Sequence, residues 1–213
     1  MRLLLLAPPG AGKGTQAKRL SEHYGIESIS SGELLRREVA KGTPCGRAAK
    51  DYLDRGDLVP DDLIRDIVVE QVKKADAKGG FILDGYPRNL SQAKEASRLA
   101  DDEGIGIDGA IYLDVSRDEL LRRLLHRGET QSRSDDQEAT IRHRLDVFDS
   151  ETRPLLDYFR EGGLLIPVNG EQPVEHVTQD IIAALTARVP PSQSPAATRS
   201  GSPDQPRSDG GSR

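Results

Sequence analysis

The chain has 213 residues, of which 35% are hydrophobic and 31% charged, and its formal net charge at pH 7 is −5. It is long enough to bury a complete α/β core, and it lacks the basic surface that nucleic-acid binding requires. No apolar run approaches the roughly 20 residues of a membrane span, and Cys45 as the only cysteine excludes an intramolecular disulfide. We therefore expect a cytoplasmic protein that binds neither nucleic acid nor a membrane.

The amino-terminal segment predicts a strand that leads into a phosphate-binding turn. Four leucines at residues 3–6 are typical of a strand buried on both faces, as in a parallel sheet. The turn PPGAGKG at residues 8–14 leaves backbone N–H groups free to converge on an anion, and Lys13 adds a cation. From Gly14 to Tyr24 the sequence predicts a helix, whose N-terminus favours negative charge. This stretch is a candidate polyphosphate site; a glycine-rich turn with an incidental lysine is the alternative.

The match to the general P-loop pattern G-x-x-x-x-G-K-[ST] is incomplete. Ala7 stands where the first glycine belongs, and Gly14 follows the lysine where Ser or Thr is expected. An alanine at positive φ would be strained by about 1–2 kcal/mol, whereas extended backbone accommodates it. We expect the extended conformation, because the rest of the predicted site is present.

Residues 30–59 predict two short helices and not a strand–helix unit. Ser30 and Glu33 form a capping-box pattern before the first helix, and Gly42 is expected to end it. The second helix is predicted from about Cys45 to Asp54. The segment is expected to be a mobile piece over the carboxyl edge of the sheet, where ligands of such folds bind.

From residue 61 onward, amphipathic stretches alternate with short apolar runs. The apolar runs predict strands at residues 81–83, 110–113 and 164–168. The amphipathic stretches predict helices at Asp61–Lys78, from Ser116 with Glu119 completing a capping box, and at Val174–Ala187. The alternation predicts an α/β fold: a parallel sheet with helices on both faces.

Two further segments differ from this alternation. Residues 128–137 are polar and are predicted to form a second mobile loop. From Pro190 to Arg213 the chain is dominated by Pro, Ser and Gly, so it cannot bury enough apolar surface to offset its ordering entropy. We expect a folded unit at residues 1–188 and a disordered tail at 189–213; a docking motif for a partner is the alternative, which the lack of aromatic anchors disfavours.

One acidic residue and several arginines suggest the chemistry. Asp84 follows the predicted strand 81–83, where a Walker-B-type acid would orient Mg²⁺, directly or through water; a turn or N-cap aspartate is the alternative. Arginines stand at element ends or in the two mobile segments: Arg36, Arg88, Arg123, Arg127, Arg133 and Arg144. Singly, each would be read as a solvated surface residue. As a set they suit a reaction that gathers two polyanions, and phosphoryl transfer relies on positioning and charge neutralisation more than on a general base.

Several segments together resemble adenylate kinase, in the family's order and spacing. They are PGAGKGT at 9–15, SSGELLR at 30–36, DLVP at 57–60, FILDGYPR at 81–88 with Gln92, and RSDD at 133–136. The resemblance covers about residues 1–187, and Gly14 before Thr15 is the family's own pattern. It implies a P-loop NTPase-type core (residues 1–29, 60–127 and 138–188), a helical AMP-binding insertion at 30–59 and a lid at 128–137.

The resemblance also implies an activity and a set of site residues. The activity is reversible transfer of the terminal phosphoryl of MgATP to AMP, with ATP, AMP and ADP as partners, Mg²⁺ as cofactor and a monomer as the working form. The ATP site would comprise Gly10, Ala11, Gly12, Lys13, Gly14, Thr15, Arg127 and Gln172. The AMP site would comprise Ser31, Arg36, Asp57, Leu58, Val59, Gly85, Tyr86, Pro87, Arg88, Gln92, Arg133 and Arg144, with Gln92 reading the adenine edge. Catalysis would fall to Lys13, Arg88, Arg123, Arg133 and Arg144, with Asp135 orienting a lid arginine and Asp84 holding Mg²⁺ through water.

Departures from the family pattern keep alternatives open. The short lid has no cysteine, so no structural zinc is implied, and Ser31 replaces the more usual threonine but keeps the hydroxyl. A UMP/CMP kinase is the nearest alternative; such enzymes tend to have alanine at position 31 and asparagine at position 92. A non-catalytic nucleotide-binding relative is a second alternative, motivated by Ala7. A GTPase is excluded, since neither Asn89 nor Asn169 begins the Asn-Lys-x-Asp sequence that reads guanine.

Overall fold

A five-stranded parallel sheet forms the centre of the computed structural model, which describes residues 1–130 and 137–188. Its strands are β1 (Arg2–Leu6), β2 (Glu27–Ser30), β3 (Phe81–Asp84), β4 (Gly109–Asp114) and β5 (Leu165–Asn169). They lie in the order β2-β3-β1-β4-β5, so β1 is central and pairs with β3 on one side and β4 on the other. The predicted parallel sheet is confirmed.

Helices precede, connect and follow the strands. They are α1 (Lys13–Tyr24), α2 (Ser31–Lys41), α3 (Pro44–Arg55), α4 (Asp61–Asp76), α5 (Leu90–Glu103), α6 (Arg117–Thr130), α7 (Glu138–Val147), α8 (Leu155–Glu161) and α9 (Val174–Arg188). A single π-helical turn, Phe148–Thr152, stands between α7 and α8. Among these described helices, none has the length and apolar character needed to cross a membrane.

The four leucines of β1 divide their side chains between two hydrophobic clusters. Leu3 and Leu5 pack with buried side chains of α1, α6, α7 and α9. Leu4 and Leu6 pack with buried side chains of α2, α3, α4, α5 and α8. Burying each leucine contributes roughly 1.5–3 kcal/mol, so an uninterrupted apolar run is what a strand covered by helices on both faces requires. The predicted helices on both faces are confirmed.

Several elements were not predicted from the sequence. The edge strand β2 has the sequence ESIS, in which Glu27 and Ser28 are exposed and Ile29 alone is buried. Such a strand carries almost no hydrophobic pattern. Helices α5, α7 and α8 were also missed; α8 has only seven residues, too few to show a helical period.

Both predicted capping boxes are wrong. Ser30 occupies the N-cap position of α2, but its side chain makes no capping hydrogen bond. At the start of α6 the N–H of Ser116 donates to Oε1 of Glu171 at 2.7 Å, while Glu119 pairs with Arg122 and Arg123. A carboxylate from the β5–α9 connection therefore takes the role that the local pattern assigned to Glu119.

The insertion at residues 30–59 consists of α2 and α3, as the helix pattern predicts. Gly42 and Gly56 follow the two helices in the left-handed conformation, which glycine adopts most readily. The core, insertion and lid boundaries that the resemblance implies stay predictions. Residues 128–130, predicted to be loop, instead belong to the end of α6. Residues 131–136 of the predicted lid and the whole predicted tail lie outside the described residues.

Candidate functional site

A cavity of about 510 Å³ opens at the carboxyl edge of the sheet. It lies where β1 and β3 end, between the P-loop turn, the 30–59 insertion, α6 and α7. Ligands of open α/β sheets bind at this edge. The cavity therefore lies at the position where this class of fold binds its ligands.

The turn after β1 has the backbone of a phosphate cradle. Gly10 and Gly12 have φ values of 86° and 96°, a left-handed conformation that side chains rarely adopt. Nζ of Lys13 donates to the carbonyl oxygens of Ala7 at 2.8 Å and Pro8 at 3.0 Å. The lysine thus arches over its own loop. Ala7 is buried in the core cluster that contains Leu3 and Leu5, and it also lines the cavity.

The ammonium group of Lys13 lies in a confined, positively charged environment. Burial lowers the pKa of Lys13 to about 8, while the carboxylate of Asp84 opposes this shift. Positive charge from Arg88, Arg144 and Arg127 lowers the Lys13 pKa further. Because these positive charges repel one another, a bound polyanion would stabilise the charged forms of Lys13 and of the three arginines.

Asp84 ends β3 beside Leu5 of β1 and lines the same cavity. Its Oδ1 atom is buried and finds no hydrogen-bond partner within the described parts of the chain. Burial raises the pKa of Asp84, and the positive charges of Lys13 and Arg88 oppose the rise. A buried carboxylate oxygen without a partner is costly, and a cation or its bound water is the kind of group that satisfies it.

Asp84 is not part of an all-protein metal site. Across residues 1–130 and 137–188, no group of three or more His, Cys, Asp or Glu side chains could hold a metal ion. Mg²⁺ is usually bound by one or two carboxylates together with substrate phosphates and water. The donor set fits a magnesium ion that arrives with a polyphosphate.

Three hydrogen bonds hold Arg88 in the turn after β3, and a fourth joins Ser31 to the same turn. Nε of Arg88 donates to the carbonyl of Gly85 at 2.7 Å, and the Arg88 N–H donates to Oε1 of Gln92 at 2.7 Å. The carbonyl of Arg88 accepts from the Thr152 hydroxyl at 2.7 Å. Oγ of Ser31 donates to the carbonyl of Gly85 at 2.6 Å. Both the main chain and the guanidinium of Arg88 are therefore fixed at the cavity wall.

Gly85 is required for this arrangement. A Cβ atom at this position would lie 2.6 Å from Oγ of Ser31 and 3.0 Å from an Arg88 guanidinium nitrogen. Its φ is 79°. A side chain would both strain the backbone and displace the residues that the turn brings together.

His143 and Arg144 of α7 contact the end of the insertion. A Cβ at Gly56 would lie 2.5 Å from Cγ of Arg144, so the arginine stem covers this glycine. Nε2 of His143 lies 2.7 Å from Oδ1 of Asp57. The hydrogen bonds from His143 and then Arg55 lower the pKa of Asp57. The insertion and α7 thus meet at the cavity.

Arg123 lies at the cavity edge between α6 and the β5–α9 connection. Its Nε donates to Glu119 at 2.6 Å, and its two terminal nitrogens each lie 3.1 Å from the carbonyl of Gly170. The predicted ATP residue Gln172 follows shortly after, and its Nε2 donates to Asn169 and Asp180. Gln172 does not line the cavity.

The structure brings most of the predicted site residues to one cavity. Its wall includes Gly10, Gly12, Lys13, Gly14, Thr15, Arg36, Leu58, Asp84, Gly85, Pro87, Arg88, Arg123, Arg127 and Arg144. Others stand behind the wall with buried side chains: Ala11, Ser31, Val59, Tyr86 and Gln92. Arg133 and Asp135 lie outside the described residues. The individual roles stay predictions.

Sequence reasoning gave no site role to Glu33 and Thr152, which also line the cavity. Glu33 was interpreted only as a capping residue, although it stands within the SSGELLR segment. Thr152 gave no signal, because a π-helical turn has no recognisable pattern in a single sequence.

The family model and the relatives described here carry the name adenylate kinase. Residues 5–164 match the family model described as adenylate kinase. The protein named adenylate kinase from Kocuria rhizophila is 44% identical over 184 residues, which is 86% of this chain and 98% of that protein. The one from Thermobifida fusca is 44% identical over 188 residues, covering 88% and 100%. Adenylate kinase 1 of a Nostoc species is 46% identical over 184 residues, covering 86% and 98%.

Proposed function

The chain belongs to the adenylate kinase family, and from this premise we propose that it transfers the terminal phosphoryl group of MgATP reversibly to AMP. One observation carries the proposal for this chain's own residues. Lys13 of the P-loop, Asp84, Arg88 and Arg144 all line one cavity, and the charges of the other three act on Lys13. Two phosphate-bearing substrates must be brought together for this reaction, and the cavity offers cations to both.

The P-loop side is the donor side. Backbone N–H groups of residues 10–15 and the Lys13 ammonium would hold the β- and γ-phosphates of ATP, as helix N-termini and glycine-rich turns do for anions. Lys13 currently donates to two loop carbonyls. A phosphate oxygen is a charged acceptor and would compete well for that ammonium.

The side formed by α2, the β3 turn and α7 is the acceptor side. Arg36, Arg88 and Arg144 would hold the AMP phosphate, with the Gly85 turn beneath it. An oxygen of the AMP phosphate attacks the γ-phosphorus, the bond to the β–γ bridging oxygen breaks, and its electron pair stays on the departing ADP. The arginines neutralise charge on the transferred group, and no residue has to take a proton.

Gln92 is the predicted reader of the AMP adenine. Its Oε1 accepts from the Arg88 N–H, and its Nε2 donates to Oδ1 of Asp61 at 2.5 Å. A primary amide has two N–H groups and two acceptor lone pairs, so one of each is left for a base edge. A side-chain amide fixed in one orientation can distinguish adenine from other bases by the hydrogen bonds that each base offers.

Asp84 would hold the magnesium ion through water, and the observation that supports this is its buried, unpartnered Oδ1. When bound with ATP, the ion would supply positive charge that neutralises the charge developing on the phosphates. Asp84 must stay ionised although it is buried, and the positive charges of Lys13 and Arg88 favour its ionised form.

We also propose that the enzyme acts as a monomer in a reducing cytoplasm. Residues of one chain line both the donor and the acceptor side of the cavity, and Cys45 is a free thiol. Size-exclusion chromatography with light scattering tests the first point, and a dimer in the active fraction overturns it.

A coupled assay that offers AMP, UMP, CMP, GMP and dTMP in turn tests the activity. Preferred turnover of AMP is the expected result. Preference for UMP or CMP would assign the chain to the pyrimidine-nucleotide alternative, and no turnover with any acceptor would favour a binding protein.

A further inference from the structure

Thr152 ends the π-helical turn between α7 and α8 and lies at the wall of the cavity. The turn is closed by the N–H of Arg153, which donates to the carbonyl of Phe148 five residues earlier at 2.8 Å. Turns of this kind are rare and occur mostly at functional sites. Arg144 of α7 and Phe148 and Thr152 of the turn that follows it all line the cavity.

The Thr152 side chain is buried, with 8% of its surface exposed. Its hydroxyl donates to the carbonyl oxygen of Arg88 at 2.7 Å, across 64 residues of chain. The N–H of the same residue, Arg88, is held by the side chain of Gln92. Two side chains from different elements thus hold both main-chain polar groups of one arginine.

Arg88 needs such holding because no secondary structure supplies it. It stands between the end of β3 at Asp84 and the start of α5 at Leu90. Outside helices and strands, the orientation of a peptide unit depends on the side chains that satisfy it. A change in the main-chain conformation at Arg88 would move its guanidinium away from the Gly85 carbonyl and from the cavity.

We propose that Thr152 is a positioning residue for phosphoryl transfer, whose hydroxyl fixes the Arg88 carbonyl and thereby aims the Arg88 guanidinium at the acceptor phosphate. The inference rests on the proposed function, because it concerns the acceptor side of that reaction. Helix α7 and the turn after it then both contribute: Arg144 of α7 supplies one cation, and Thr152 of the turn positions another. Small misplacements of groups that orient substrates reduce rates strongly.

Three variants separate this role from simple packing. Thr152→Val removes the hydroxyl and keeps the branched shape, and Thr152→Ser keeps the hydroxyl. Thr178→Val is the matched control, since Thr178 is equally buried at 7% exposure and its hydroxyl bonds to Gln16 Oε1 at 2.7 Å. Each protein is characterised by its melting temperature and by steady-state kinetics with AMP and ATP varied separately.

We expect Thr152→Val to lower kcat/KM for AMP about tenfold, the loss that one buried hydrogen bond corresponds to. Thr152→Ser should stay within about threefold of wild type, and KM for ATP should be unchanged in both. Thr178→Val should lose stability comparably without changing kcat/KM for AMP. If Thr152→Val does not fold, Thr152→Ala is measured against the same criteria.

An Arg88→Lys background shows whether the effect passes through Arg88. There, Thr152→Val should cause little further loss, because the group it positions has already been replaced. An undiminished further loss overturns the inference, as does a Thr152→Val enzyme equal to wild type or a loss that serine does not restore. A wild-type protein that leaves AMP unphosphorylated overturns the proposed function and this inference with it; failure of the variants in an active enzyme overturns the inference alone.

Discussion

Nε2 of His143 lies 2.7 Å from Oδ1 of Asp57 and joins the helix that carries Arg144 to the loop that closes the 30–59 insertion. The pair is partly exposed, with 48% and 32% of the two side chains accessible. Exposed pairs contribute little to stability. We expect the His143–Asp57 pair to matter because it holds the end of the insertion against α7.

Asp57→Asn should raise KM for AMP about two- to fivefold, the range that exposed pairs span, and leave kcat nearly unchanged. His143 and Arg55 lower the pKa of Asp57, so its carboxylate contributes fully above the ordinary aspartate range. That contribution is lost only as pH falls through the lowered value. The effect of Asp57 titration should therefore be flat near neutral pH.

Steady-state kinetics with AMP varied, repeated across pH, check this prediction. Asp157→Asn is the control, since Asp157 pairs with Arg160 on the exposed side of α8. An equal change in both variants would show that the Asp57 contact has no special connection with the acceptor side.

Lys13→Met should abolish turnover, with a loss of about 10²–10³-fold or more, the range found when one charge-stabilising donor is removed from an active site. The fold should persist, because Lys13 bonds only to its own loop among the contacts described. Circular dichroism and a coupled assay measure the two properties. Lys18→Met, on the exposed side of the same helix, should behave as wild type, and near-normal turnover of Lys13→Met would show that the loop is not the phosphate site.

Asp84→Asn should weaken activity and strengthen the fold. Burial raises the pKa of Asp84 and so disfavours its charge, and Lys13 and Arg88 offset only part of this cost; the neutral amide removes the rest. We expect the melting temperature to rise by about 2–8 °C, the shift that 1–2 kcal/mol produces in a chain of this size. The Mg²⁺ concentration for half-maximal rate should increase.

Thermal melting and a magnesium titration of the rate test these two expectations. Asp114→Asn is the matched control, because Asp114 likewise ends a strand of the sheet, β4, but with an exposed side chain. An Asp84→Asn enzyme with an unchanged magnesium requirement would argue against the proposed role of this carboxylate.

A chain cut after Arg188 should keep its kcat/KM for both nucleotides. Arg188 donates to the carbonyls of Gly163 and Leu165, so it fastens the end of α9 to β5. Arg188→Gln in the shortened chain should lower the melting temperature, which marks where the required structure ends. A large loss of activity on removal of residues 189–213 would contradict the prediction of a dispensable tail.

The strands and the P-loop could be predicted because their signals are local. Leu3 to Leu6 must be apolar to lie between two helical layers, and the glycines that follow need positive φ. Strand β2 could not be predicted, because Glu27 and Ser28 face solvent at the sheet edge.

The contacts that complete the site depend on residues distant in sequence. Ser116 is capped by Glu171, not by Glu119 three residues away. Thr152 reaches Arg88 only because a π-helical turn forms after α7. Family resemblance named Arg88, yet the groups that hold it became visible only when the chain was folded.

The pairing of β1 with β3 has a mechanical consequence. Leu5 and Asp84 are partners in that ladder, and neighbouring strands keep a spacing of about 4.8 Å. The loop proposed to hold the donor follows β1, and the turn proposed to hold the acceptor follows β3. Their separation cannot stretch without breaking main-chain hydrogen bonds of the central sheet. Movements that accommodate the nucleotides must therefore occur in the segments around the sheet. The paired strands β1 and β3 keep the distance between the proposed donor and acceptor sites constant.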